Sequence, residues 1–203
     1  VYMNLLPENK ITILDGATGT MIQRYSLAEE DYNIGKVLPE SFKPSAQLKG
    51  NNECLNLTRA DIIEAIHREY IRCGADIIET NTFSANRISQ SEYGCEDIAA
   101  QMAYEGALIA RRAADAEKGR KILVAGSMGP TSKSLSLSPD ASDPGFRQFS
   151  FRDVKKSYKE QAQALLNGGA DLLLIETCFD ALNVKAALCA IQEINQERNL
   201  EEP

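Results

Sequence analysis

Several features that would point to common functional classes are missing from this sequence. It has no apolar run approaching the roughly 18 residues that a membrane-spanning helix needs. Its N-terminus lacks the basic and apolar blocks of a secretion signal. Acidic residues outnumber basic ones by 29 to 22, and the formal charge of −7 argues against a nucleic-acid partner, which would require a basic face. We therefore expect a cytoplasmic protein that binds neither membranes nor nucleic acid.

Cysteine and histidine are too few or too scattered for several kinds of site. The five cysteines include no C-x-x-C pair, which argues against a disulfide framework and a zinc ribbon; they lie at positions 54, 73, 95, 178 and 189. We interpret Cys73 and Cys189 as small core residues of helices. To act as a nucleophile, Cys178 would need an activating base, which the sequence does not offer. The only histidine, His67, is expected at a solvated or boundary position, so histidine acid–base catalysis has no good candidate.

What the sequence does contain is a fourfold alternation of apolar strands and amphipathic helices. The helices are expected to start near residues 58, 95, 150 and 180. Thr58, Ser150 and Asp180 are the expected N-caps, and Gly74 and Gly168–Gly169 are expected to end helices. Residues 21–57 read as a long polar connection. The predicted strands are Ile11–Leu14, Ala75–Glu79, Lys121–Ala125 and Leu172–Ile175.

Continuous apolar strands of this kind predict a parallel sheet that is covered on both faces. The 203 residues fit a single domain. Two architectures agree with the pattern, a doubly wound sheet and part of an eight-stranded β/α barrel. Long loops follow the first and third strands, always on the carboxyl side, as on the active face of a barrel, although a doubly wound fold tolerates them too.

Acidic residues end three of the predicted strands. Asp15 opens the turn Asp15–Thr20, which contains two glycines and can expose N–H groups to an anion. Residues 74–80 return as residues 169–177 with two extra positions, so Glu79 and Glu176 keep the same face of the sheet. These acids could bind an amine or a metal ion, or they could cap helices and pair with basic residues. The turn matches neither the phosphate-loop nor the dinucleotide motif.

Five stretches of the chain resemble the homocysteine-binding domain of cobalamin-dependent methionine synthases. They extend over nearly the whole chain, in order and with similar spacing. The stretch at 129–139, Gly-Pro-Thr-Ser-Lys-Ser-Leu-Ser-Leu-Ser-Pro, favours these enzymes over relatives that use betaine or S-methylmethionine. The matching stretches are Asp15–Gln23, Leu48–Glu53, Gly74–Phe83 and Gly129–Pro139, together with Leu174–Thr177.

The resemblance implies a parallel β/α (TIM) barrel that binds homocysteine at its carboxyl rim. In this sequence the turn at Asp15–Thr20 would hold the carboxylate of the amino acid through backbone N–H groups. Glu176 would receive the ammonium group, and Glu79, Asn81 and Thr82 would shape the pocket. The binding residues implied in this way are Asp15, Gly16, Ala17, Gly19, Thr20, Glu79, Asn81, Thr82 and Glu176.

The resemblance also implies cofactors that this chain does not hold by itself. The family binds Zn²⁺ through three cysteines, which the five cysteines here do not match, so we expect no metal ligand and no methyl transfer by this chain alone. Folate and cobalamin bind to separate modules of the parent protein. We therefore expect residues 1–203 to form the first four βα units, a half-barrel without a second domain.

Two alternatives remain at the level of sequence. The half-barrel could be a non-catalytic binding or self-assembly module, because its first and fourth strands would leave unpaired edges through which a homodimer could form. It could also belong to the homocysteine methyltransferases that use betaine or S-methylmethionine.

Overall fold

The computed structural model describes residues 6, 10–38, 42 and 44–198. Within them, a parallel sheet has the sequential order β1-β2-β3, where β1 is Ile77–Glu79, β2 is Leu123–Met128 and β3 is Leu172–Ile175. Glu79 lies beside Ala125, and Met128 lies beside Ile175. Sequential parallel order is typical of a β/α barrel, whereas a doubly wound sheet reverses its order. The carboxyl ends of all three strands therefore lie at one edge of the sheet.

The expected first strand is reduced to one parallel bridge between Leu14 and Ile77. The Asp15 N–H donates to the Ile77 carbonyl at 3.0 Å and so extends the sheet by a short segment. The prediction that this run is buried was wrong: Ile11 is 87% exposed and Ile13 is 54% exposed. An apolar run predicts extended backbone, but its burial depends on neighbours from elsewhere in the chain. The described residues thus contain three strands and one bridge rather than four complete βα units.

Helices precede, connect and follow these strands. The region 21–57, expected as a polar connection, holds short 3₁₀ turns at Glu29–Asp31, Ile34–Lys36 and Asn52–Cys54. No helix in the described ranges is long and apolar enough to cross a membrane. The α-helices are α1 (Thr18–Gln23), α2 (Leu55–Thr58), α3 (Ala60–Arg72), α4 (Arg87–Gln90), α5 (Ala99–Ala116), α6 (Phe151–Asn167) and α7 (Ala181–Glu197).

Two of the three predicted N-caps are confirmed. The Ser150 hydroxyl accepts the Asp153 N–H at 3.3 Å while the Asp153 carboxylate accepts the Ser150 N–H at 2.9 Å, which is a capping box at the start of α6. Asp180 caps α7 with its carboxylate, which accepts the Leu182 N–H at 2.8 Å. Thr58 was wrongly assigned, because it ends α2 and its hydroxyl donates to the Cys54 carbonyl, whereas Arg59 precedes α3.

The core lies where α3, α5 and α6 pack together with the sheet. His67 of α3 is fully buried, so its expected place at a solvated boundary was wrong; α3 is enclosed by α1, α2 and α5. Cys73 is exposed at the end of the same helix, so its assignment to the core was also wrong. Gly74 follows with φ +110°, a left-handed conformation that lets the chain turn from α3 into β1.

Candidate functional site

A cavity of about 530 Å³ opens at the carboxyl ends of the strands. Thr20 is not in its wall but on the exposed side of α1. Sequence reasoning missed eight other lining residues: Thr18, Gly50, Asn52, Glu53, Thr80, Phe83, Ser84 and Ser127. The structure brings together eight of the nine implied binding residues, namely Asp15, Gly16, Ala17, Gly19, Glu79, Asn81, Thr82 and Glu176.

Four carboxyl groups line this cavity, from Asp15, Glu53, Glu79 and Glu176, and none of its lining residues is Lys, Arg or His. Buried carboxylates without a cation are unfavourable, because the interior does not replace the water that solvates them in the unfolded chain. The cavity is therefore suited to a ligand with a positively charged group.

Asp15 is fixed by the backbone of the neighbouring strand. Both of its carboxylate oxygens accept the Glu79 N–H at 3.1 Å. Burial raises the pKa of Asp15 to about 7, the negative charges of Glu79 and Glu176 act in the same direction, and the hydrogen bond from the Glu79 N–H opposes them. An ammonium group placed among these acids would favour their ionised forms.

Glu79 and Glu176 form a hydrogen-bonded carboxyl pair across the ends of β1 and β3. Burial is the main cause that raises the pKa of Glu79 to about 7, and the charge of Glu176 and the hydrogen bond to it add to this effect. The Ser127 hydroxyl on β2 donates to Glu176 Oε1 at 2.5 Å. Two carboxyl groups can form a hydrogen bond to each other only if one of them carries a proton.

Glu53 is a fourth acid that sequence reasoning did not place in the site. It is 7% exposed, and its Oε1 accepts the Ser84 N–H at 2.7 Å. Burial raises its pKa, and the bond from Ser84 opposes the shift. The signal for it was available, because Glu53 ends one of the stretches that carry the family resemblance, Leu48–Glu53.

The turn after Asp15 presents donors to the same cavity. In the described part of the chain, the N–H groups from Gly16 to Thr20 donate to no carbonyl or side-chain oxygen. Tyr70 packs against Gly16, where an added Cβ would lie 3.2 Å from its hydroxyl, and that hydroxyl donates to the Ala17 carbonyl. Free N–H groups that face one space can bind an anion such as a carboxylate.

Asn81 and Thr82 are held rigidly beneath the cavity. The Asn81 side chain donates to the Asn52 carbonyl at 2.8 Å and to Asn56 Oδ1 at 2.9 Å. The Thr82 hydroxyl donates to the Ser127 carbonyl at 2.8 Å. These bonds tie the end of β1 to α2 and β2, so the floor of the cavity is formed before any ligand arrives.

Thr177 follows Glu176 with φ +52°, in the left-handed region that a β-branched residue rarely adopts. The Glu176 N–H donates to the Met128 carbonyl at 3.2 Å, and the Cys178 thiol donates to the Glu176 carbonyl. Backbone strain of this kind persists where the surrounding structure fixes it and is common at binding sites.

The described residues do not fit a zinc site. No group of three or more His, Cys, Asp or Glu side chains among them is arranged to hold a metal ion. Cys54 and Cys95 are buried, Cys73 is exposed, and Cys178 and Cys189 are half-buried. No chemical step in this protein can therefore be assigned to zinc from these residues.

Comparison with known proteins identifies the family. Residues 12–201 match the profile of the homocysteine S-methyltransferases. The chain belongs to this family. The match confirms the family resemblance that the sequence motifs indicated.

Solved structures share the fold of this chain. The homocysteine methyltransferase MmuM from Escherichia coli in its metallated form has 20% identity and a TM-score of 0.69 over 96% of this chain. The oxidized form of MmuM has 22% sequence identity and a TM-score of 0.66 over 92% of this chain. The apo form has 21% identity and a TM-score of 0.57 over 92% of this chain. The chain spans 63%, 59% and 56% of those three structures, less than two thirds of each.

Proposed function

We propose that this chain is the homocysteine-binding part of a cobalamin-dependent methionine synthase. In the whole protein, homocysteine would accept a methyl group on its sulfur from methylcobalamin, which 5-methyltetrahydrofolate would replenish, and methionine would be the product. Folate and cobalamin would bind to other modules of that protein. The observation that carries the proposal is the cavity with four carboxyl groups and no basic side chain.

The acids of the cavity suit the ammonium group of homocysteine. Glu79 ends β1 and Glu176 follows β3, the two strands on either side of β2, and both line the cavity together with Asp15. An ammonium group offers three donors, and charge-assisted hydrogen bonds to carboxylates are roughly twice as strong as neutral ones. A bound ammonium group would also relieve the repulsion among the acids.

The turn from Gly16 to Thr20 suits the carboxylate group of the same ligand, because its N–H groups have no acceptor among the described residues. Acids and free N–H groups are thus present in one cavity, where a zwitterion can satisfy both. A simple amine would use only the acids, and a simple carboxylate would be repelled by them.

Isothermal titration calorimetry with L-homocysteine tests the proposal. We expect the wild-type chain to bind it and Glu176→Gln, which keeps the shape of the side chain but removes the charge, to bind at least about tenfold more weakly. Glu197→Gln on the exposed end of α7 is the matched control and should bind like wild type.

A ligand control separates the ammonium group from the rest of homocysteine. 4-Mercaptobutanoate has the thiol and the carboxylate but no amine, so the wild-type chain should bind it poorly. Equal binding of the two ligands, or full affinity in Glu176→Gln, would refute the placement of the ammonium group.

The choice of cobalamin as methyl donor is supported by the stretch Gly129–Pro139, which follows β2. It is held in place by Asp180, whose carboxylate accepts the hydroxyl groups of Ser134 and Ser136, both at 2.6 Å. In the full-length protein we expect methionine to form with methylcobalamin and not with betaine or S-methylmethionine. Methionine formation with betaine or S-methylmethionine would instead assign the protein to the homocysteine methyltransferases that use those methyl donors.

A second candidate function is self-assembly, and exposed apolar side chains at both ends of the described sheet favour it. Ile11 and Ile13 are exposed before β1, and Phe179 and Leu188 are exposed after β3. Two copies joined at these edges would form a homodimer. Light scattering at high concentration should then give twice the mass of the chain, and a monodisperse monomer would contradict it.

A further inference from the structure

Ser127 is a buried residue of the cavity wall, 2% exposed, and all of its polar groups are bonded. Its N–H donates to the Thr80 hydroxyl at 2.9 Å, and its carbonyl accepts the Thr82 hydroxyl at 2.8 Å. These bonds fix the backbone of β2 against the end of β1. The side-chain hydroxyl is then left with a single partner, Glu176 Oε1 at 2.5 Å.

This hydroxyl breaks the symmetry of the Glu79–Glu176 pair. Glu176 accepts the short hydrogen bond from Ser127 and a longer one, at 3.4 Å, from the Thr177 hydroxyl, whereas Glu79 has no such donor on its carboxyl group among the described residues. A hydrogen bond donated to a carboxyl oxygen favours the ionised form of that group. A proton shared by the two carboxyl groups is therefore favoured on Glu79, which lacks such a donor.

The backbone around Glu176 supports the same arrangement. The left-handed Thr177 and the bond from the Glu176 N–H to the Met128 carbonyl limit where its side chain can point. The ionisable groups that face the pair are Asp15 from the segment before α1 and Cys178 two positions beyond Glu176. Across the cavity, Glu53 adds a further acid, and no lining residue is basic.

We propose that Ser127 is a positioning residue that keeps Glu176 charged for the ammonium group of the ligand and leaves Glu79 as the proton donor of the site. This inference rests on the proposed binding of homocysteine. When the ammonium group enters, its charge favours ionisation of Glu79, and the proton of Glu79 passes to bulk water. Binding is then coupled to the release of one proton.

Calorimetry in two buffers of different ionisation enthalpy measures this proton. At pH 6, where a group with a pKa of about 7 is mostly protonated, the wild-type chain should release close to one proton per homocysteine bound. Ser127→Ala removes the hydrogen bond to a charged group and should weaken binding about ten- to hundredfold. It should also release fewer protons, because the pair no longer holds its proton on one member.

Ser127→Thr is the rescue variant. It keeps the hydroxyl and its β-branched side chain suits a strand, so affinity and proton release should return to near the wild-type values. If Ser127→Ala does not fold, Ser127→Cys keeps the size of the side chain with a much weaker donor and should give the same losses. A mere loss of packing would lower affinity without changing the proton count.

Titration of the unliganded chain separates this inference from the proposed function. With ¹³C-labelled glutamate carboxyl groups, assigned through Glu79→Gln and Glu176→Gln, NMR should find Glu79 protonated at a pH where Glu176 is ionised, and Ser127→Ala should reduce that difference. Failure of the wild-type chain to bind homocysteine would refute the function but leave this readout intact. An unchanged titration in Ser127→Ala would overturn the role of Ser127.

Discussion

His67 lies wholly inside the helical layer, and among the described residues neither ring nitrogen has a hydrogen-bond partner. Burial lowers its pKa to about 4 from the 6.5 of an unperturbed histidine. The unfolded chain therefore takes up a proton at a higher pH than the folded chain. The neutral ring contributes its full stability above pH 6.5, and this contribution falls as the pH drops towards 4.

We predict that His67→Phe removes this part of the acid sensitivity. The shift of about 2.5 pKa units corresponds to a loss on the order of 3 kcal/mol between pH 6.5 and 4. Urea unfolding at a series of pH values measures it for both proteins. The slope that remains in the variant comes from carboxyl groups, and an identical slope in both proteins would show that His67 is not buried in neutral form.

The contribution of Glu79 to the pH dependence of stability has the opposite sign to that of His67. Its folded pKa of about 7 lies above the 4.5 of an unperturbed glutamate, so the folded chain binds the proton more tightly. The associated stability is present below pH 4.5 and is lost as the pH rises through 7.

Glu79→Gln should therefore be more stable than wild type at pH 8, by on the order of 1 kcal/mol once solvent screening of this half-buried group is allowed for. At pH 4.5 the two proteins should differ little. Thermal unfolding at both pH values checks this, and a variant that is less stable at pH 8 would contradict the account of the acidic cavity.

The residue types of the site were predictable from sequence, but the surroundings of single residues were not. Asp15, Glu79 and Glu176 follow apolar strands, and parallel pairing alone brings strand ends together. The burial of His67 depends on which helices cover α3, and the role of Ser127 depends on a neighbour 49 positions away. Local patterns carry no information on such contacts.

At the scale of elements, helix α5 approaches the floor of the cavity through Gly106. A Cβ at this position would lie 2.5 Å from Thr82 Cγ2 and 2.7 Å from Asn56 Nδ2. The Asn56 amide donates to the Asn81 carbonyl at 2.8 Å and to the Met102 carbonyl at 3.0 Å. The glycine thus permits the close contact that holds the end of β1.

Gly106→Ala should destabilise the chain by about 1–2 kcal/mol, because the clash outweighs the gain of up to about 1 kcal/mol in helix propensity. It should also weaken homocysteine binding through Asn81. Chemical denaturation and calorimetry measure the two effects. Gln101→Ala, on the exposed side of the same helix, is the control, and an equal or higher stability of Gly106→Ala would mean that α5 can move away from the sheet.

The observed helix boundaries agree with the predicted ones where a capping side chain sets them. The Ser150–Asp153 box and the Asp180 cap begin α6 and α7 where the sequence predicted. The predicted boundaries of a strand were wrong where pairing with a distant strand decides them. β2 runs on to Met128 beyond the predicted Ala125, because β3 pairs with its last residues.

At the scale of the whole molecule, the fold places every predicted acid at one edge of a parallel sheet. The chain shares this fold with the MmuM structures but spans 56–63% of their length. The apolar residues Ile11 and Ile13, before β1, and Phe179 and Leu188, after β3, are exposed. Their exposure could not be predicted, because an apolar pattern does not reveal which part of a protein, or which second copy, covers it.

A crystal structure of the chain with bound L-homocysteine would show where each end of the ligand lies. We expect the ammonium nitrogen within hydrogen-bond distance of the Glu176 carboxylate, about 3 Å, and the ligand carboxylate against the N–H groups from Gly16 to Thr20. A ligand in the reverse orientation, or one bound outside the cavity between Asp15 and Glu176, would contradict it.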